Sequence, residues 1–369
     1  MLSVEDLLVG LIEQAVAAPL CSMRLADAGA RVIKIEPKGG ETARGYDQDV
    51  MGESAYFTAL NRGKESLELN LRDTDDLELL KRILSKADVF IRNTAPGTMD
   101  RIGLGWKELQ KHLERLVIVD IFGYGQDTKY KDMKAYDLLI QAESGLCSVT
   151  GTKEQAVKVG VSIADLGTGM NAYSAVLEAL IEREKTGKGA HIELAMFDTV
   201  AEWMSVPLLH FEYANKLSER HGMAHSSIYP YRPYSCSDGE ILVAVQNDEQ
   251  WSKFCHYVLQ QDTLATDERF STNTARVSNR NALDKLISDV TRMLTTLEFQ
   301  LRLEDAGTAF GRVSNLGDLS THPALRRQSV VIDHQLVQAV ASPLCSSGKI
   351  VKKIPSLGEQ NQSIRREFA

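Results

Sequence analysis

Short apolar runs alternate with amphipathic stretches through the first third of this chain, and that alternation confines it to few folds. Residues 7–12, 31–35, 88–91 and 116–121 are strand-like. Between the first two, Leu20, Met23, Leu25 and Ala28 recur at helical spacing until Gly29, and residues 77–85 read as a second helix. Pro19 falls in a first helical turn, where proline is tolerated. Apolar strands separated by helices indicate a parallel sheet covered on both faces. Open sheets of this kind take ligands beyond the carboxyl ends of their strands. Polar residues in the loops after strands are therefore the first place to look for chemistry.

The chain has 369 residues, which suggests two domains. The α/β pattern runs to a helix ending near Thr186 and a strand over residues 191–196. The apolar stripe of that helix reads as Met170, Tyr173, Val176, Leu177, Leu180 and Ile181. Tyrosines, prolines and histidines then cluster between residues 200 and 235. A strand over 241–246 and helices to about residue 306 follow, with Asn279 and Thr296 as expected N-caps. The expected division is a large domain over 1–200, a smaller α+β domain over 201–320, and a return to the large domain over 321–369.

Formal net charge is −8, the wrong sign for a general nucleic-acid binder. Five cysteines, at 21, 147, 236, 255 and 345, are widely spaced and odd in number. That spacing disfavours a disulfide framework or a zinc ribbon and points to a reducing cytoplasm. The N-terminus lacks a basic region before an apolar one, and no apolar run is long enough to span a bilayer. The eight histidines form no metal-ligand spacing, so no metal is expected.

The loop Gln14-Ala15-Val16-Ala17-Ala18-Pro19 lacks the glycines of a dinucleotide fingerprint, and there is no P-loop, nucleophile elbow or His-Glu-x-x-His. One carboxylate stands out. In Gly160-Val161-Ser162-Ile163-Ala164-Asp165-Leu166-Gly167-Thr168-Gly169 an apolar strand-like run ends at Asp165 and a helix opens. Asp165 is either an N-cap for that helix or a nucleophile on a turn that glycines open to substrate. Arg62, Lys64, Arg101 and Lys134 lie in loops at the same expected sheet edge, with Gln14 and Asn93 closing strands. Arginine and lysine suit phosphate oxygens, so the set describes a phosphate-bearing ligand brought to a carboxylate.

Several segments, in order and over nearly the whole chain, resemble the class III CoA-transferases of the CaiB–BaiF family. They include Glu13-Gln14-Ala15-Val16-Ala17-Ala18-Pro19, residues 25–36, Asn61-Arg62-Gly63-Lys64-Glu65-Ser66-Leu67, and Asn93 to Leu104. The stretch 135–146, the block 161–169, Thr186-Gly187-Lys188-Gly189 and Leu357-Gly358-Glu359 complete them. The resemblance implies a Rossmann-like large domain, a smaller α+β domain and an interlocked homodimer. It implies a nucleophile at Asp165, with Tyr136 near the thioester and Asp137 a further active-site acid. It places coenzyme A against Gln14, Ala15, Leu69, Asn93, Arg101, Lys134 and Met196, with Lys64 nearby.

The implied activity is transfer of CoA from an acyl-CoA such as succinyl-CoA to a carboxylic acid, with the thioester as co-substrate and no other cofactor. Racemases that resemble this family carry a histidine base where this chain has Tyr136, and tyrosine is a poor base at neutral pH. The reading therefore favours a transferase over an α-methylacyl-CoA racemase. No long glycine-rich loop of the kind carried by relatives acting on formyl-CoA and oxalate is present. The loop 39–47 is most like members handling succinate, mesaconate, itaconate or citramalate. For an acceptor's second carboxylate, Arg44, Arg62 or His225 offers a cation, or each is simply a surface charge. Pro37 stands where family members often carry an arginine, so one CoA contact is expected to differ.

Overall fold

The computed structural model describes residues 4–344 and 351–369. The chain forms two compact units. One gathers the chain up to Leu146, Lys158–Val206 and the chain from Arg326 onward; the other holds Cys147–Val157 and Pro207–Leu325.

The first unit is built on six parallel strands: β1 (Leu8–Ile12), β2 (Arg31–Glu36), β3 (Glu65–Glu68), β4 (Val89–Arg92), β5 (Val117–Phe122) and β6 (His191–Ala195), in the order β3-β2-β1-β4-β5-β6. Each face is buried. Val9, Leu11, Val32, Val89, Ile91, Val117 and Val119 pack against the helices Ala17–Asp27 and Ile163–Thr186. Ile33, Ile35, Leu67, Phe90 and Ile118 face the helix Thr74–Leu84. Side chains alternate along a strand, so Lys34 and Glu36 fall on the same face as Val32 and are carried inside.

The second unit wraps helices around an antiparallel sheet of β7 (Tyr231–Ser235), β8 (Glu240–Ala244) and β9 (Ala309–Arg312). Trp251, Phe254, Phe270 and Phe299 fill its core. β10 (Arg327–Ile332), β11 (Gln335–Val340) and β12 (Lys352–Lys353) form a third sheet, which belongs to the first unit.

Three local expectations are corrected, and a fourth holds in position only. The run before Asp165 is no strand: the helix begins at Ile163 with Ser162 at its N-cap, and Asp165 lies inside the first turn. The helix starting near Thr296 is capped by Thr295, whose hydroxyl and Glu298 form a reciprocal capping box. Asn279 occupies an N-cap position without a side-chain bond. In the stripe of the long helix, Val176 and Leu180 are buried but Met170 and Ile181 are exposed. Small residues take the inward face instead, because a Cβ on Gly169 would strike the Ala17 carbonyl and come within 2.9 Å of Leu20 Cβ. The helix Ala17–Asp27 crosses there at close range.

Candidate active site

Strand order reverses between β1 and β4, so the loops leaving them diverge and open a crevice. A cavity of about 630 Å³ occupies it, lined by Gln14, Leu69 and Asn93 among others. Gln14 and Asn93 close its base reciprocally. The Gln14 N–H donates to Asn93 Oδ1 at 2.9 Å, and Asn93 Nδ2 donates to the Gln14 carbonyl at 2.8 Å. Lys38 and Arg72 also line the cavity, and among the described residues neither side chain has a carboxylate partner. Both were missed in the sequence, although each follows a strand end: Lys38 comes directly after Pro37, and Arg72 stands three residues beyond Leu69.

The turn after β1 rests on buried charge. Lys64 Nζ sits 2.6 Å from Glu13 Oε1 and Lys34 Nζ 3.1 Å from the same oxygen, while Ser22 donates to Oε2. Lys34 also meets Glu41 Oε1 at 2.8 Å. Two carboxylates thus balance two ammonium groups, all essentially without solvent contact. Burial raises the Glu13 pKa, but Lys34 and Lys64 outweigh it and hold Glu13 below the usual carboxylate range. Burial lowers Lys64 to about 8 despite the pull of Glu13. Glu41 Oε2 accepts the Ala15 N–H at 2.8 Å, and Ala15 has φ of +62°.

Asp165 has the opposite surroundings. It lies in the first turn of a 24-residue helix, and no hydrogen bond or ion pair to its carboxylate is found among the described residues. Burial, and then the charge of Asp137, push its pKa up from 3.8 to about 7. The helix N-terminus works the other way, favouring negative charge. Asp137 takes over the capping role that the sequence had left open for Asp165. Its Oδ1 accepts from the N–H groups of Ala164 at 2.8 Å and Asp165 at 3.4 Å. Its Oδ2 accepts from Gln141, whose Oε1 accepts from Val159. Leu166 and Ala15 both pack against the cluster of Val16, Leu20, Met23 and Leu60, which joins the Asp165 turn to the turn after β1.

The remaining expected residues fall into two groups. Tyr136 is 71% exposed at the N-cap of the helix Asp137–Glu143. Lys134 is exposed, Arg101 is exposed with its guanidinium on Thr98 Oγ1 at 3.0 Å, and Met196 is buried under the sheet. The proposed acceptor arginines are already engaged: Arg44 pairs with Glu36 at 2.7 Å, and Arg62 pairs with Asp27. His225 belongs to the second unit, where Nδ1 accepts from Ser227 and Ile228 and the ring stacks on Tyr231. No group of three or more His, Cys, Asp or Glu placed to hold a metal exists among the described residues. No helix among them is long and apolar enough to cross a membrane.

The family model for CoA-transferase family III matches residues 4–361. A human succinyl-CoA:glutarate CoA-transferase is 31% identical over 90% of this chain and 77% of its own length. An acetyl-CoA:oxalate CoA-transferase of Acetobacter aceti is 32% identical over 99% of this chain and 95% of its own. The crystal structure of a CaiB/BaiF family protein from Brucella suis superposes with a TM-score of 0.83 at 33% identity, covering 99% of both chains. The chain belongs to the family III CoA-transferases and is a transferase.

Proposed function

We propose that this enzyme moves CoA from an acyl-CoA donor such as succinyl-CoA to a small dicarboxylic acid, with Asp165 as the covalent carrier. The observation that carries the reading is the Asp165 carboxylate itself: partly buried, unpaired among the described residues, raised to about 7 and adjacent to a second carboxylate. A structural aspartate in such a place would normally be hydrogen-bonded. An unpaired carboxylate near its pKa at neutral pH is basic enough to attack and still ionised in good part.

The Asp165 oxygen adds to the thioester carbonyl, the C–S bond breaks and CoA thiolate leaves, giving an acyl–aspartyl anhydride. The thiolate then attacks the aspartyl carbonyl carbon, forming an aspartyl–CoA thioester and releasing the donor's carboxylate. The acceptor carboxylate repeats the sequence in reverse and departs as the new thioester. The Gln14 and Ala15 N–H groups are already given to Asn93 and Glu41, so an oxyanion would have to compete for them. Gln14, Asn93, Leu69, Lys38 and Arg72 support a CoA reading of the cavity. A dicarboxylate seeking Arg44 or Arg62 would have to compete with Glu36 or Asp27.

A homodimer, interlocked as the family resemblance implies, is part of the proposal. The helix Ser205–Ala214 buries none of its residues, yet exposes Val206, Leu208, Leu209, Phe211 and Tyr213. Contiguous exposed apolar surface of this kind marks an interface. Light scattering after gel filtration should return twice the chain mass. The free thiols at Cys21, Cys147, Cys236 and Cys255 support a reducing compartment, and Cys345 lies outside the described residues.

The activity test is a matrix of acyl-CoA donors and acids, with glutarate, mesaconate, itaconate, citramalate and oxalate as acceptors, read by mass spectrometry of the CoA esters. Exchange with at least one dicarboxylate is expected, falling by about 10⁴-fold or more in Asp165→Ala. Exchange surviving in that variant sinks the proposal. Incorporation of deuterium at the α-carbon without exchange would favour racemase chemistry instead.

A further inference from the structure

The turn that borders the cavity adopts a shape that alanine does not choose by itself. Ala15 has φ of +62°, in the left-handed region that side chains bearing a Cβ seldom occupy. Such a conformation persists only where its surroundings over-determine it. Two contacts do so here. The Gln14 N–H is held by Asn93, and the Ala15 N–H is held by Glu41 Oε2 at 2.8 Å.

Glu41 is suited to this in a way its amide is not. Its other oxygen meets Lys34 Nζ at 2.8 Å, and Oε2 also accepts from the Ala43 N–H at 3.5 Å, so all of its neighbours are donors. A carboxylate offers an acceptor to each; a glutamine has one oxygen and must turn its NH₂ toward one of them. Lys34 in turn is fixed by Glu13, the residue before Gln14, and Glu13 by Lys64. The Glu41 backbone N–H is itself held by Glu36 Oε2 at 3.2 Å, which Arg44 also grips. The chain of buried charges therefore begins and ends on the same turn.

We infer that Glu41 is a positioning residue: through its paired oxygens it keeps Ala15 left-handed, and so keeps Gln14 and Asn93 set for the ligand of the cavity. The consequence for affinity rests on the reading that this ligand is CoA.

Two measurements on the full chain test it. In the unliganded protein, amide exchange of the peptide spanning residues 13–17 should quicken by about tenfold in Glu41→Gln, the scale of one lost hydrogen bond. Calorimetric titration with free CoA should show affinity weakened by about tenfold in the same variant. Adding Ala15→Gly should recover at least about threefold of that loss, because glycine adopts positive φ without penalty. A general loss of packing would not be rescued so. Where Glu41→Gln lacks a cooperative melting transition, Glu41→Asp serves, since it keeps both oxygens but is one methylene short. Unchanged exchange in a folded variant overturns the inference, and so does a CoA defect that Ala15→Gly leaves untouched. Faster exchange in the variant, with a wild-type protein that binds no CoA, upholds the positioning of the turn and removes only the CoA reading of the cavity.

Discussion

Two turns at one end of the same sheet treat their carboxylates in opposite ways. After β1, Glu13 and Glu41 are buried and paired with Lys34, Lys64 and a backbone N–H. In the first turn of Ile163–Thr186, Asp165 is only partly buried, and the charged group beside it is another carboxylate, Asp137. Pairing spends the charge on geometry, because each ion fixes the position of the next. Withholding a partner leaves the charge costly and therefore reactive. On the proposed function, one turn holds a ligand site in shape and the other keeps a nucleophile ready.

The contrast can be broken from either side. The largest effect is expected at Glu13. Glu13→Gln leaves Lys34 and Lys64 facing each other without their shared partner, and breaking a buried ion cluster costs about 3–5 kcal/mol. Urea unfolding should show that loss, and a change under about 1 kcal/mol would mean the cluster is not the framework described.

The opposite sign is expected at Asp165. Folding raises its pKa from 3.8 to about 7, so the stability it contributes is full below about pH 4 and is lost as pH rises through 7. Asp165→Asn should therefore be near neutral at pH 4 and stabilising at pH 8. The full shift corresponds to about 4 kcal/mol, and partial exposure reduces the expected gain to about 2 kcal/mol. Melting curves at the two pH values check it. An Asn variant destabilised at pH 8 would show that Asp165 has a partner after all.

A smaller effect sharpens the role of Asp137. Asp137→Asn keeps an oxygen for the helix N–H groups but removes the neighbouring charge. The rise of kcat/KM with pH, expected near 7 in the wild type, should move toward lower pH, though not to the ordinary aspartate value, because burial is the larger cause. An unmoved profile would assign the raised pKa to burial alone.

The sequence was most legible where strands are continuously apolar. β1, β2, β4, β5 and β6 all stand within a few residues of their expected places. β3 was not recognised, since Glu65–Glu68 is an edge strand with charged residues at both ends. β9 lies just beyond the helical stretch that ends near residue 306 and was not recognised. The short run over residues 161–164 before Asp165 could not be told from a strand, because so short a run has no period of its own. Tertiary pairings were out of reach for the same reason: nothing in spacing joins Arg44 to Glu36, Arg62 to Asp27 or Glu41 to the Ala15 N–H. The loop residues Gln14, Leu69 and Asn93 were legible through the family resemblance and do line one cavity. Lys38 and Arg72, on the same wall, carried no motif to draw attention.

The central claim is that the unpaired carboxylate of Asp165 is the one that carries the acyl group and then CoA. The most direct measurement is to incubate the enzyme with a donor acyl-CoA and hydroxylamine, digest it, and locate the modified residue by mass spectrometry. A hydroxamate on Asp165, formed only when the acyl-CoA is present, is the predicted result. A hydroxamate on Asp137 or Glu13, or an unmodified Asp165 in an enzyme that is exchanging CoA, would contradict it.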